Sequence, residues 1–200
     1  MAPLRGCGSV ASAVTPAGEL FVFYYDYNTL NLTLAKTNYT ANQTTFQTYP
    51  VKDPGGSWIR GSNNVPLAPL AACYWNKVVM LFYVDQYMTL QDVWTKDGIS
   101  WRQGSLGNRH IKIWLRSGLT AVGGPHCKVI FSEDGGVLME ARYDKNQWKL
   151  PVDLKALEAL EALGGGAKPP RPVAYNGLRS LRQQAEPAVM RQRPACMVDI

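Results

Sequence analysis

Lys128–Trp148, KVIFSEDGGVLMEARYDKNQW, reads as a strand, a tight turn at Asp134-Gly135-Gly136, a second strand, another turn and a Trp opening a last strand. An earlier copy runs Met80–Trp101, MLFYVDQYMTLQDVWTKDGISW. A fainter one begins at Phe21, FVFYYDYNTLNLTLAK. Internal repeats set the architecture before any local assignment does, because each copy must solve the same packing problem.

Each copy is preceded by a strand of small residues: Ser9–Val14, Leu70–Trp75 and Gly118–Gly123. The predicted strands of the first unit are then Ser9–Val14, Leu20–Tyr25, Thr29–Lys36 and Thr44–Tyr49. In the second they are Leu70–Trp75, Val78–Val84, Met88–Thr95 and Ile99–Arg102. In the third they are Gly118–Gly123, His126–Ser132, Gly136–Tyr143 and Gln147–Leu150. Turn signals separate them, Asn76-Lys77 and Asp97-Gly98 among them. Phe82 to Ile130 is 48 positions and Trp101 to Trp148 is 47. Four strands at a period of about 45–50 is the pattern of propeller blades. The extra length between units one and two falls in the loop KDPGGSWIRGSNNVP, Lys52–Pro66, where insertion is tolerated.

The expected fold is all-β: a partial β-propeller of about three four-stranded antiparallel blades, followed by a short helix and a disordered basic tail. The repeat region is 9–151, with blades at about 9–50, 68–104 and 117–151, after a loose terminus at 1–8. Residues 152–163, VDLKALEALEAL, favour a helix with Asp153 as N-cap and Gly164–Gly166 as its stop. Residues 164–200 are rich in Pro, Arg, Gln and Ala and form the tail. An arc of three blades leaves two blade faces open. A second copy closing the ring, the helix covering one end, or a truncated gene product would each account for that.

Hydrophobic residues make up 46% of the chain and charged residues only 18%, with Tyr, Trp and Thr plentiful, as pleated half-buried surfaces favour. The net charge of +6 is concentrated in the tail, whose six Lys and Arg face only Glu186 and Asp199. It reads as a solvated tail, and a nucleic-acid partner is not expected. The start, MAPLRGCGSVASAV, has no apolar run of signal-peptide length, and no stretch reaches the roughly 18 apolar residues of a membrane helix. A membrane partner is not expected, and the default location is cytoplasmic, with secretion only by a non-classical route. Three glycosylation sequons, at Asn31, Asn38 and Asn42, would then go unused.

The four cysteines, Cys7, Cys73, Cys127 and Cys196, form no CxxC pair and no metal-ligand spacing. Cys73 and Cys127 lie in apolar strands and read as small core residues. No metal, cofactor or disulfide framework is expected. There is no GxSxG, HExxH, Walker or GxGxxG motif. His126, at the start of a strand, reads as a core or edge residue, and His110, in a basic loop, lacks an identifiable partner, so the chain reads as a non-enzyme.

What remains is a recurring pairing of aromatic and polar residues. The repeats resemble the fungal fucose-specific lectins, six-bladed propellers with a sugar pocket between successive blades. The resemblance covers about residues 9–150. That family places an Arg at the head of the second strand, a Glu twelve positions later on the third, and a Trp some eight positions beyond. The third repeat supplies Lys128, Glu140 and Trp148 at twelve and eight; the second supplies Met80, Asp92 and Trp101 at twelve and nine. The first gives Phe21, Thr33 and Phe46, with none of the polar identities. Lys128 keeps the charge of the Arg without its planar fork.

The resemblance implies a carbohydrate-binding protein that recognises fucose or a related sugar on a glycan, without catalysis. Glu140 would accept from sugar hydroxyls, Lys128 would donate and Trp148 would stack, with Asp92 and Trp101 as the second candidate set. The alternative is a non-catalytic interaction or structural module with vestigial pockets. Trp101 and Trp148 would then be inter-blade core.

Overall fold

A computed structural model describes residues 6–38, 45–60, 68–113, 117–132 and 137–155. They form three antiparallel meanders. The first is β1 (Gly6–Val14), β2 (Glu19–Asp26), β3 (Leu32–Asn38) and β4 (Gln47–Pro50), paired in chain order. The second is β5 (Leu70–Trp75), β6 (Val78–Val84), β7 (Leu90–Thr95) and β8 (Trp101–Gln103). A short 3-10 helix, Leu106–Arg109, follows it. The third is β9 (Leu119–Val122), β10 (Cys127–Ser132), β11 (Leu138–Asp144) and β12 (Gln147–Trp148). This is the partial propeller that the repeats predict.

Two elements differ from expectation. β1 begins at Gly6, inside the stretch read as a loose terminus, because the Tyr25 and Asp26 end of β2 continues to offer pairing beyond a bulge between Cys7 and Val10. The expected helix at 152–163 opens instead as β13 (Val152–Asp153), an added strand on β11 opposite Met139 and Glu140. β11 has a free edge there, since β12 pairs only with Tyr143 and Asp144. Asp153 then accepts the Lys155 N–H at 2.9 Å, the bond an N-cap makes. The remainder of that helix and the whole of the tail lie outside the described residues.

The second sheet is buried on both faces, which is why VVMLFYV reads as an unbroken apolar run rather than an alternation. Val79, Leu81 and Tyr83 face the first sheet, while Met80, Phe82 and Val84 face the third. In β10 the burial alternates, with Cys127, Val129 and Phe131 inside and Lys128, Ile130 and Ser132 half-buried. Among the described residues, only the inner face of the third sheet belongs to a buried cluster. At the other end, Val10 and Val14 on β1 are exposed.

Adjacent sheets are joined by a contact that repeats. Trp101 on β8 meets Phe23 on β2 edge to face, with centroids 5.8 Å apart, and Trp148 on β12 meets Phe82 on β6 in the same way at 5.7 Å. Such pairs add about 0.5–1.5 kcal/mol beyond the area they bury. The turn after β7 reinforces the first interface. Asp97 accepts the Ile99 and Ser100 N–H groups at 2.8 Å, and Gly98, at φ +81°, sits where a Cβ would press on Phe21 and Leu34.

The polar part of the contact does not repeat. The Trp148 indole N–H donates to the buried Asp92 carboxylate at 3.2 Å. Cross-strand register places Asp92 opposite Phe82 and Leu34 opposite Phe23, so Leu34 is the first sheet's counterpart of Asp92. Leu34 offers no acceptor, and among the described residues the buried Trp101 N–H has no hydrogen-bond partner. Trp148→Phe should therefore destabilise by about 2–4 kcal/mol, because it orphans a buried carboxylate oxygen. Trp101→Phe, which removes an N–H without an acceptor, should cost at least 1 kcal/mol less by that same asymmetry. Urea unfolding of the two variants measures the ordering, and equal costs would show that the indole–carboxylate bond contributes nothing.

Candidate functional site

Side chains in a strand alternate between faces, so position parity decides which residues can meet. Glu140 stands opposite Ile130 in the β10–β11 register, and Lys128 lies two positions from Ile130 on the same face. The two side chains meet diagonally, Lys128 Nζ to Glu140 Oε2 at 3.0 Å. The Glu140 side chain is 12% exposed and that of Lys128 38%, so the carboxylate is recessed and the ammonium lies over it. Leu138 and Arg142 share this outer face by parity, and both are exposed. The backbone of β13 flanks Glu140 through its pairing with Val152.

Trp148 does not join this pair. Tyr143 and Trp148 are directly opposite across the two-residue turn Lys145-Asn146, both of whose residues have positive φ. Tyr143 is three positions from Glu140, an odd number, so Tyr143 and Trp148 occupy the inner face. Trp148 is 1% exposed, with Tyr143 and Phe82 edge-on at 5.3 and 5.7 Å. No ring face is left open for a sugar. The expected trio of Lys128, Glu140 and Trp148 is thus divided between the two faces of one sheet.

The second candidate set divides likewise. Trp101 stands opposite Thr95, three positions from Asp92. Trp101 packs towards the first sheet with Phe23, and Asp92 faces the third. In place of the expected sets, Asp92 of one blade binds Trp148 of the next. This pairing spans 56 positions and could not emerge from spacing within a repeat.

Asp92 has both oxygens occupied. Oδ2 takes the Trp148 N–H, and Oδ1 accepts the Leu106 backbone N–H at 2.8 Å. Gly104 makes this possible, since a Cβ there would collide with the carboxylate. Neither Gly104 nor Leu106 stood out in the sequence, although Gly immediately after a strand is the signal that could have drawn attention to them. Burial pushes the Asp92 carboxyl up to about 6, against the lowering pull of its two N–H donors. Asp92 is therefore a closed structural carboxylate, whereas Glu140, its counterpart by register, is recessed beneath the half-exposed Lys128.

A cleft of about 530 Å³ lies at one end of the second sheet, lined by Asp85, Gln91, Gln103, Asn108, His110 and Lys112 among others. Its charges are engaged in holding a turn. Asp85 accepts the Tyr87 and Thr89 N–H groups and the Gln91 amide at 2.8–2.9 Å. Lys112 donates to the Tyr87 carbonyl and the Thr89 hydroxyl, both at 2.8 Å.

No protein-family model matches the chain, and no curated protein matches it by sequence. Solved structures do. The chain is similar to AofleA from Arthrobotrys oligospora, at 20% identity and TM-score 0.55, covering 73% of this chain and 41% of that one. It is similar to the Aleuria aurantia lectin, a six-bladed fungal β-propeller described with its fucose recognition mode, at 17% identity and TM-score 0.54, covering 74% and 49%. It is also similar to the SapL1 lectin in complex with α-methyl fucoside, at 16% identity and TM-score 0.53, covering 72% and 47%. The chain thus spans less than half the length of each of these three. At such identities the likeness establishes the propeller fold.

The Asp92 environment makes a prediction with a definite sign. Its folded pKa of about 6 lies above the roughly 3.9 of an unfolded Asp, so between these values the folded chain holds a proton that the unfolded chain has released. Asp92's contribution is most favourable below pH ~4 and is lost as pH rises through ~6, by about 3 kcal/mol in full. Asp97 and Asp26, held low by backbone N–H donors, act in the opposite sense at lower pH, so the comparison must be differential. The stability of wild type minus that of Asp92→Asn should fall steadily from pH 4 to pH 7. A flat difference in urea titrations across that range would contradict the burial described.

Proposed function

We propose that this chain binds carbohydrate, without catalysis, through the Lys128–Glu140 pair on the outer face of the third blade, and that the sugar is fucose or a close relative. The observation that carries the reading is the contrast between Asp92 and Glu140. They hold the same register position, but Asp92 is saturated by Trp148 and Leu106, while Glu140 is paired with a half-exposed lysine. A recessed carboxylate beside an ammonium suits adjacent sugar hydroxyls, one donating to Glu140 and one accepting from Lys128. The structural likeness to fucose-binding propellers supports this choice of ligand.

The stacking surface expected of Trp148 has to come from elsewhere, and a second copy of the chain supplies a rationale. By register, Ile130 is the counterpart of Phe23 and Phe82, the residues on which the next blade's Trp rests. Phe46, one step beyond the Lys36–Gln47 pair, is the first blade's counterpart of Trp101 and Trp148, and it is 37% exposed. Two copies arranged head to tail would seat each Phe46 on the other's Ile130. They would give six blades, the number in the Aleuria aurantia lectin. The Phe46 ring carries no N–H, so Glu140 would keep its acceptor oxygens for a ligand.

The saturated Asp92 favours a second reading for the interface between blades two and three, where a pocket position has become a structural brace.

Two measurements separate these claims. Isothermal titration with α-methyl fucoside, backed by a glycan array, should show binding that Glu140→Ala and Lys128→Ala each reduce at least tenfold, the loss expected for a charge-assisted hydrogen bond of about 1.5–3 kcal/mol. No glycan binding, or binding indifferent to Glu140→Ala, would remove the site. Sedimentation should give twice the 22.1 kDa chain mass for wild type and the single mass for Ile130→Glu. A monomeric wild type that still binds sugar would discard the closed ring and leave the site standing.

A further inference from the structure

Cys73 on β5 and Cys127 on β10 face one another across the contact between the second and third sheets. Their Sγ atoms are 3.7 Å apart, although 54 positions separate them in sequence. Both are free thiols in the inter-sheet core. The backbone holds them there. Gly123, just past β9, lies so close to the Tyr74 carbonyl oxygen that a Cβ would collide with it, and the same Cβ would meet the Trp75 side chain at 3.3 Å. Tyr143, the cross-strand partner of Cys127, packs edge-on to Trp75 at 5.4 Å. The neighbours of each cysteine thus grip the neighbours of the other. A disulfide needs its sulfurs at ~2.05 Å, so each would move by only about 1 Å.

We propose that Cys73 and Cys127 form a two-cysteine oxidation site at which a peroxide ties the second and third blades together covalently. The two sulfurs have different roles. Cys73 is 6% exposed and Cys127 fully enclosed, so a small oxidant reaches Cys73 first. Either thiol can donate in the contact between the two sulfurs, and this pairing pulls the Cys73 pKa down and pushes that of Cys127 up. The nearby Asp92 charge raises Cys127 further. Cys73 is thus the attacking thiolate and Cys127 the resolving thiol.

In the first step the Cys73 sulfur attacks one oxygen of hydrogen peroxide. The O–O bond breaks, and the departing hydroxide takes up the thiol proton as water, leaving a sulfenic acid. In the second step the Cys127 sulfur, losing its proton, attacks the Cys73 sulfur. The S–O bond breaks and hydroxide leaves with that proton as a second water. The two thiols lose two electrons and two hydrogens, and the peroxide is reduced to two waters.

The bond would close a long loop and remove freedom chiefly from the unfolded chain. For a loop of this size the entropy estimate corresponds to a rise in melting temperature of roughly 8–17 °C. It would also anchor the head of β10 beside Lys128, whether or not Lys128 binds a sugar.

The test uses the full chain as Cys7→Ser/Cys196→Ser, which leaves only this pair. The protein is titrated with hydrogen peroxide, unfolded in an alkylating agent and mapped by mass spectrometry without reductant. The expected result is a linked pair of peptides, two hydrogens lighter than the separate ones, joining Cys73 to Cys127 within one chain. A higher melting temperature, reversed by dithiothreitol, should accompany it. In a further Cys127→Ser variant, dimedone should trap a sulfenic acid on Cys73 and no link should form. The proposal is overturned if both cysteines are alkylated after peroxide treatment, or if they advance to sulfinic acid unlinked, or if the link joins two chains. Linkage mapping in the parent protein decides the matter even if Cys127→Ser fails to fold.

Discussion

The contact between a fourth-strand Trp and the second-strand Phe of the preceding sheet is the constraint on which the rest of this structure depends. A four-stranded meander with two apolar faces cannot stand alone in water, and burial by neighbours is what makes the run Val78–Val84 viable. Trp101 over Phe23 and Trp148 over Phe82 set the spacing and rotation between sheets, because an edge-to-face pair tolerates little sliding. The directionality follows from this contact. Each sheet offers a Trp to the one before it and a Phe to the one after, so the stack has unlike ends. Phe46 and Ile130 are those ends, each a weaker version of the residue that the interior interfaces use.

Within that frame a single register position takes three forms. Leu34 makes the first interface wholly apolar and leaves the Trp101 N–H without an acceptor. Asp92 gives the second interface an acceptor that is fully used, at the expense of burying a carboxylate and raising its pKa to about 6. Glu140 places a longer carboxylate at the outer face, where Lys128 meets it. The backbone geometry is shared, so the differences arise from the side chain alone and from which donor reaches it. A buried carboxylate without donors would carry a desolvation penalty of several kcal/mol, which explains why the Gly104–Leu106 segment folds over Asp92 so closely.

The architecture was legible in the sequence because it is encoded locally: small-residue first strands, two-residue turns such as Asn76-Lys77, and the period between Trp101 and Trp148. Which residues share a face was much less so. The twelve-and-eight spacing correctly ordered Lys128, Glu140 and Trp148 along the strands but ignored parity, which the Lys145-Asn146 turn fixes. In the first repeat the same count selected Thr33, whereas pairing selects Leu34, because the turn after Asp26 is one residue longer than the spacing assumes. The Asp92–Trp148 and Cys73–Cys127 contacts cross between repeats, and no pattern inside a repeat reports them. Val152 and Asp153, at the opening of the 152–163 segment, have low helix propensity and pair with the free edge of β11, while Asp153 caps the helical Leu154 and Lys155 that follow.

On the proposed reading, a propeller blade interface and a ligand pocket would be the same structural object with different donors. Where the next blade brings an indole N–H, the carboxylate is satisfied internally and the interface gains a polar link while losing any opening. Where the next blade brings a ring without a donor, the carboxylate must find its hydrogen bonds in a neighbouring lysine, in water or in a ligand hydroxyl. Asp92 with Trp148 is the first case; Glu140, paired with Lys128, would be the second if Phe46 of another copy completed the interface. The fourth-strand aromatic, more than the carboxylate itself, would then determine whether a given interface braces the fold or remains open to a sugar. A tryptophan closes the position, and a phenylalanine such as Phe46 would leave it open.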